Sequence, residues 1–151
     1  MKKAFAIIII LAVSIILGKE LLDHTVISRS MPEPNVVINK TAFTVEVANE
    51  PLEQIKGLSG HAPLQDNQAM LFIFPKKQTR NFWMKNMLFP IDILWIEDNQ
   101  IVKIDKALPP EGETPEKSYS SITPVNYVLE INAGLSDKYN LRAGDKVKIN
   151  L

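Results

Sequence analysis

Asn81-Phe82-Trp83-Met84-Lys85-Asn86-Met87 is followed two residues later by Pro90-Ile91-Asp92-Ile93-Leu94-Trp95-Ile96. The second run reads as a strand core, rich in β-branched and aromatic residues and opened by Pro90. The first, taken from residue 80 to 86, reads as the strand before it. In that strand Phe82, Met84 and Asn86 point one way and Trp83, Lys85 and Met87 the other. A strand built for stability alone has no use for Lys85, Asn86 and Asp92, because each needs a partner or water once buried. The connection Met87-Leu88-Phe89-Pro90 can end the strand and re-aim one of the two polar side chains. Asp92, across that connection, can pair with Lys85 or accept from local backbone.

The flanking segments point to the same architecture. Phe43, Val45 and Val47 alternate with Thr44 and Glu46, the period of a half-buried strand, and Asn39-Lys40-Thr41 turns the chain from a strand over 35–39. Asn49 can cap a short helix with Glu50 and Pro51 in its first turn, Leu52 and Ile55 on one face and Gly57 at its end. Further strands are expected over 69–74 (ended by Pro75), 90–97, 100–106, 127–131 and 146–151, with a second short helix within 133–139. The loop over 108–124, with Pro109, Pro110, Gly112 and Pro115, is long enough to suggest function or mobility. The sum is an α+β domain: a curled, mostly antiparallel sheet or barrel-like core with two short helices.

At 151 residues and 46% hydrophobic content the chain fits one globular domain plus a leader. Met1-Lys2-Lys3 precedes an apolar run over 4–17 broken only by Ser14, and Gly18-Lys19 closes it. A basic head before an apolar segment reads as an export signal, or as an uncleaved anchor whose terminal lysines stretch its reach. With Lys2 and Lys3 inside, the rest of the chain lies outside the membrane. The reading is therefore an N-terminal hydrophobic helix over 1–19, a tether over 20–34 carrying Pro32 and Pro34, and one domain over 35–151, extracytoplasmic and either membrane-anchored or secreted.

Net charge is zero over the whole chain, but residues 1–19 hold three lysines and no acid, so the remainder is at −3. Lys76, Lys77 and Arg80 are too few to form a basic stripe, and nucleic acid is not an expected partner. There are no cysteines, which removes disulfides, thiolate metal sites and cysteine nucleophiles.

Gly57-Leu58, Met70-Leu71-Phe72-Ile73-Phe74, Phe82-Trp83-Met84-Lys85-Asn86, Pro90-Ile91-Asp92, Tyr127-Val128-Leu129-Glu130, Ala133-Gly134 and Gly144-Asp145 occur in an order that resembles the domain of unknown function 192 family, the uncharacterised protein family 0127 type. The resemblance spans about residues 40–151. It implies a compact strand-rich domain, often exported, with no established reaction and no catalytic residues to carry over. The chain departs from the family pattern at Ala69, where glycine is usual, at Ser59 and His61, which replace a usual Met and Arg, and at Met87, where Thr is common.

Three kinds of chemistry compete. In the first, the domain is a non-enzymatic binding or accessory module of the cell envelope, its partner a small polar ligand or an envelope protein, with the membrane reached through the N-terminal segment. Trp83 then offers an aromatic platform, Lys85, Asn86 and Asp92 orient the ligand, Glu130 joins them if it does not simply face solvent, and Tyr119 in the long loop touches the ligand. In the second, Asp92 or Glu130 is the general acid or base of a small hydrolase-like enzyme, with Lys85 as electrostatic partner. In the third, Met70, Met84 and Met87, with His61, bind Cu(I), although methionines in a β-core are more often gap fillers. No motif implies a cofactor.

Overall fold

The computed structural model describes residues 33–151. The hydrophobic helix over 1–19 and all of the tether before Glu33 lie outside the described residues. The chain folds in the order β1 (Asn35–Ile38), β2 (Thr41–Ala48), α1 (Pro51–Lys56), β3 (Gln68–Gln78), β4 (Asn81–Phe82), β5 (Ile91–Glu97), β6 (Gln100–Leu108), β7 (Tyr119–Ser120), β8 (Val125–Asn132), α2 (Leu135–Lys138) and β9 (Val147–Asn150).

Seven strands make one sheet in the order β6-β5-β8-β3-β2-β1-β9, and β4 pairs with β7 in a separate two-stranded ribbon. The sheet is antiparallel except for β2 against β3, which α1 connects. It curls into a half-barrel: the edge strands approach each other through a bridge between Gln100 and Lys146, backed by Ile101 N–H on the Asp145 carbonyl and Val147 N–H on the Asn99 carbonyl. Edge exposure, a template for unwanted pairing, is thereby reduced.

Both faces of the sheet are buried, so its central strands carry apolar side chains without alternation. One face holds Phe43, Leu71, Leu94, Leu129 and Leu135 of α2. The other holds Phe72, Met84, Ile93, Trp95 and Val128. β5 is buried from Ile91 to Ile96 for this reason.

The structure corrects several sequence expectations. β3 continues past Pro75, because its pairing with β8 lapses between Ile73 and Gln78 and a missing N–H costs nothing there. The strand expected over 80–86 ends at Phe82. Lys85-Asn86 is a turn in which Asn86 has φ of +54°, a conformation asparagine tolerates. The alternation expected from Phe82 to Met87 is therefore absent: Met84 and Met87 are both buried, and Trp83 is exposed. The residue before the first turn of α1 is Glu50, not Asn49, and the Glu53 carboxylate accepts from the backbone N–H of both. Leu52 and Ile55 do not pack as a core face; they are 80% and 65% exposed.

Candidate functional site

Glu130 lies mid-strand in β8, opposite Met70 of β3 and Ile93 of β5. Cross-strand partners share a face, so its carboxyl is set among the apolar side chains of the second cluster. It is 4% exposed, and its Oε2 is buried with no hydrogen-bond partner among the described residues. Burial pushes its pKa up to about 8. Desolvation is the cause, since removing a carboxylate from water penalises the charged form. Near neutral pH Glu130 is thus mainly a neutral acid, able to donate one hydrogen bond and accept others.

This acid lines a cleft of about 250 Å³. One wall is the end of α1 and the turn after it, Gln54, Ile55, Gly57, Leu58 and Ser59. The other is Phe72, Phe82, Trp83 and Met87, with Asn81 and Lys56 completing the lining. Gly57 has φ of +48°, which an L side chain adopts only under strain. A Cβ there would lie 3.2 Å from Phe72 Cζ and 4.0 Å from Glu130 Oε2. Glycine both turns the chain and leaves space beside the acid.

The walls are held together by short polar links. Ser59 Oγ donates to the Lys85 carbonyl at 2.7 Å, and Gly60 N–H to the Asn86 carbonyl at 2.9 Å. Asn86 N–H donates in turn to Gly112, tying the long loop to the same turn. The aromatic wall continues inward edge to face, with Phe72 and Phe82 centroids 4.9 Å apart and Phe82 and Trp95 5.4 Å apart.

Of the residues picked out in the sequence as contacts of a polar ligand, Trp83 and Glu130 line this cleft; Lys85, Asn86, Asp92 and Tyr119 do not. Lys85 and Asn86 serve it through their backbone carbonyls. Asp92 does not pair with Lys85. Its Oδ1 accepts from Ala107 N–H, and its Oδ2 from Gly134 N–H, Ser136 N–H and Ser136 Oγ. It fills an irregularity in the β5–β6 pairing, where Lys106 and Ala107 both stand opposite it, and fastens β6 to α2. Because Asp92 pairs across to Ile131, it faces the sheet side opposite to Glu130. The Asp92, Lys85 and Glu130 constellation of the hydrolase reading is therefore not assembled.

Tyr119 pairs with Phe82 in the small ribbon, and its hydroxyl donates to Glu111 Oε1 at 3.3 Å. Burial, reinforced by Glu111, raises its pKa. Met70, Met84 and Met87 are buried in the second cluster, the placement of gap-filling core residues, and His61 shares a small cleft of about 100 Å³ with Met70.

The α1 wall is the part that sequence reading missed. Its signal was present as an apolar pair, Leu52 and Ile55, followed by Gly57-Leu58-Ser59, but a helix with exposed apolar residues is not distinguishable in sequence from one that packs.

Residues 35–149 match the family pattern of domain of unknown function 192, described as Uncharacterized ACR. A crystal structure of a proposed transcription regulator from Sinorhizobium meliloti 1021 is similar, with a TM-score of 0.71 and 31% identity over 77% of this chain and 92% of that one. A protein of unknown function from Novosphingobium aromaticivorans DSM 12444 has a TM-score of 0.70 and 32% identity over 76% of this chain and 83% of that one. No curated protein matches the chain. A match over most of the described domain, together with two relatives above 30% identity, means that the chain belongs to the domain of unknown function 192 family.

Proposed function

We propose that the protein is a non-enzymatic binding domain of the cell envelope that holds a small ligand in the Glu130 cleft. The observation that carries this reading is one buried, unpartnered carboxyl in an otherwise largely apolar opening of ligand size. Small-molecule sites combine an apolar lining with a few placed polar groups, and an uncompensated buried acid costs free energy that a ligand partner would offset. Among the described residues Glu130 is the one carboxylate lining the cleft, so the carboxylate pair of two-acid hydrolysis is not formed there.

The envelope assignment rests on the basic and apolar leader. Among the described residues no helix is long and apolar enough to cross a membrane, and the anchor proposed here is the apolar run over 4–17. The regulatory name of the Sinorhizobium relative is not extended to this chain, whose residues after Lys19 carry net charge of −3.

The test is a fragment screen on the full chain, read by the Met87 methyl resonance and Trp83 fluorescence. Binding fragments that shift both signals, and that lose their effect in G57V, support the reading. Fragments that bind only elsewhere, or none at all, overturn it. A fragment that is chemically turned over would favour general-acid chemistry at Glu130, whose raised pKa suits proton transfer near neutral pH.

A further inference from the structure

The cleft's hydrogen-bonding inventory is lopsided. Gln54 Nε2 already donates to the carbonyls of Ile73 and Ala48, which leaves the amide oxygen as its unused group. The Ser59 hydroxyl donates to Lys85, so its oxygen remains as an acceptor. The backbone N–H groups of Gly57 and Ser59 are spent on the carbonyls of Glu53 and Lys56. What this wall offers a ligand is therefore mainly acceptors, and Glu130 Oε2 lies beside it without a partner. Facing them are Phe72, Phe82 and Trp83, whose rings attract cations as well as apolar groups. Asn81 offers both a donor and an acceptor. Lys56 is the only other charged side chain lining the cleft among the described residues, and it is exposed.

From this arrangement we infer that the cleft takes a primary ammonium group on an aromatic or similarly compact apolar body, with the ammonium against Glu130. The inference rests on the binding reading above and names its ligand class. An ammonium carries three donors and no acceptor, which matches the wall. Its arrival draws the proton off the Glu130 carboxyl: the O–H bond breaks, the proton passes to solvent, and a carboxylate–ammonium pair remains. A ligand carboxylate would instead be set against the buried Glu130 carboxyl, with Lys56, Asn81 and the Trp83 indole N–H left as its donors.

Three probes of similar shape separate the possibilities: 2-phenylethylammonium, 2-phenylethanol and 3-phenylpropionate, titrated into the full chain by calorimetry and by the Met87 methyl signal. The amine is expected to bind about ten-fold tighter than the alcohol and the carboxylate weakest. Repeating the amine titration near pH 7 in buffers of different ionisation enthalpy should reveal proton release. E130Q should remove the amine's advantage, so that amine and alcohol bind this variant equally; if it does not fold, the probe series on the unmodified chain decides alone. Alcohol or carboxylate binding at the Met87 site as tightly as the amine overturns the ammonium class and leaves the binding cleft standing. A silent Met87 signal with all three probes, and with a wider fragment set, overturns both.

Discussion

Gly57 packs beside Glu130 in the lining of the cleft, close enough that a methyl group on residue 57 would sit 4.0 Å from Glu130 Oε2. The two positions come from unrelated parts of the chain, the turn after α1 and the middle of β8. The sheet brings them together because β8 pairs with β3, and β3 pairs in parallel with β2, from whose end α1 starts. The parallel pair needs a crossover connection, and the residues of that crossover cover the buried acid.

Replacing Gly57 should cost stability and close the cleft. G57A places a side chain at φ of +48° and 3.2 Å from Phe72, and backbone strain of this kind costs about 1–3 kcal/mol. G57V adds bulk beside Glu130. Urea denaturation is expected to show the loss, and any fragment that shifts Met87 in the unmodified chain should no longer do so in G57V.

Glu130 makes stability depend on pH in a defined direction. Between its ordinary value of 4.5 and about 8, the folded chain retains a proton that the unfolded chain has released. Stability from this group is therefore greatest below the unfolded value and is lost as pH rises through about 8, with a limiting slope of about 1.4 kcal/mol per pH unit. In E130Q that component should vanish, so the stability difference between the two chains should change across this window. Parallel pH profiles for the two chains would mean that Glu130 titrates normally in the fold.

Asp92 is a structural clamp. D92A leaves the N–H groups of Ala107, Gly134 and Ser136 and the Ser136 hydroxyl without their acceptor, and a loss of about 3 kcal/mol or more is expected. D92N should also destabilise, because donors approach both oxygens and an amide can accept at only one. Chemical denaturation checks this; a loss below about 0.5 kcal/mol would place Asp92 among surface substitutions in its effect.

Trp83 should behave oppositely. At 53% exposure its removal leaves the core intact, and W83A is expected to change stability by about 1 kcal/mol or less. Its effect should appear in fragment affinity, measured by the Met87 signal.

The strands were legible where the chemistry of one segment decides its structure. Alternation over residues 43–47 and turns at Asn39-Lys40-Thr41 and between the strands over 90–97 and 100–106 depend on local preference; the first turn is tighter than expected, since Thr41 already pairs with Ile38, and Asp98 and Asn39 take the positive φ that their side chains tolerate. Local pattern failed where a distant partner decides. Pro75 does not end β3, because the pairing it would have broken is already interrupted. Lys85 and Asn86 drew attention as polar residues in an apolar run, yet their contribution is backbone geometry. Glu130 read more readily as the solvent side of an alternating strand, and the structure buries it, since the second layer covering that face comes from residues 54–59 and 81–87, far away in sequence. Its burial is a property of the assembled sheet.

The most direct test follows the Glu130 carboxyl carbon by NMR in the full chain from about pH 5 to about pH 9, first alone and then with each fragment that shifts Met87. A midpoint near 8 in the free chain, moved by those fragments, is the expected result: a neutral buried acid that ligands reach. A midpoint near the ordinary carboxylate range that no fragment moves would contradict the account at its centre.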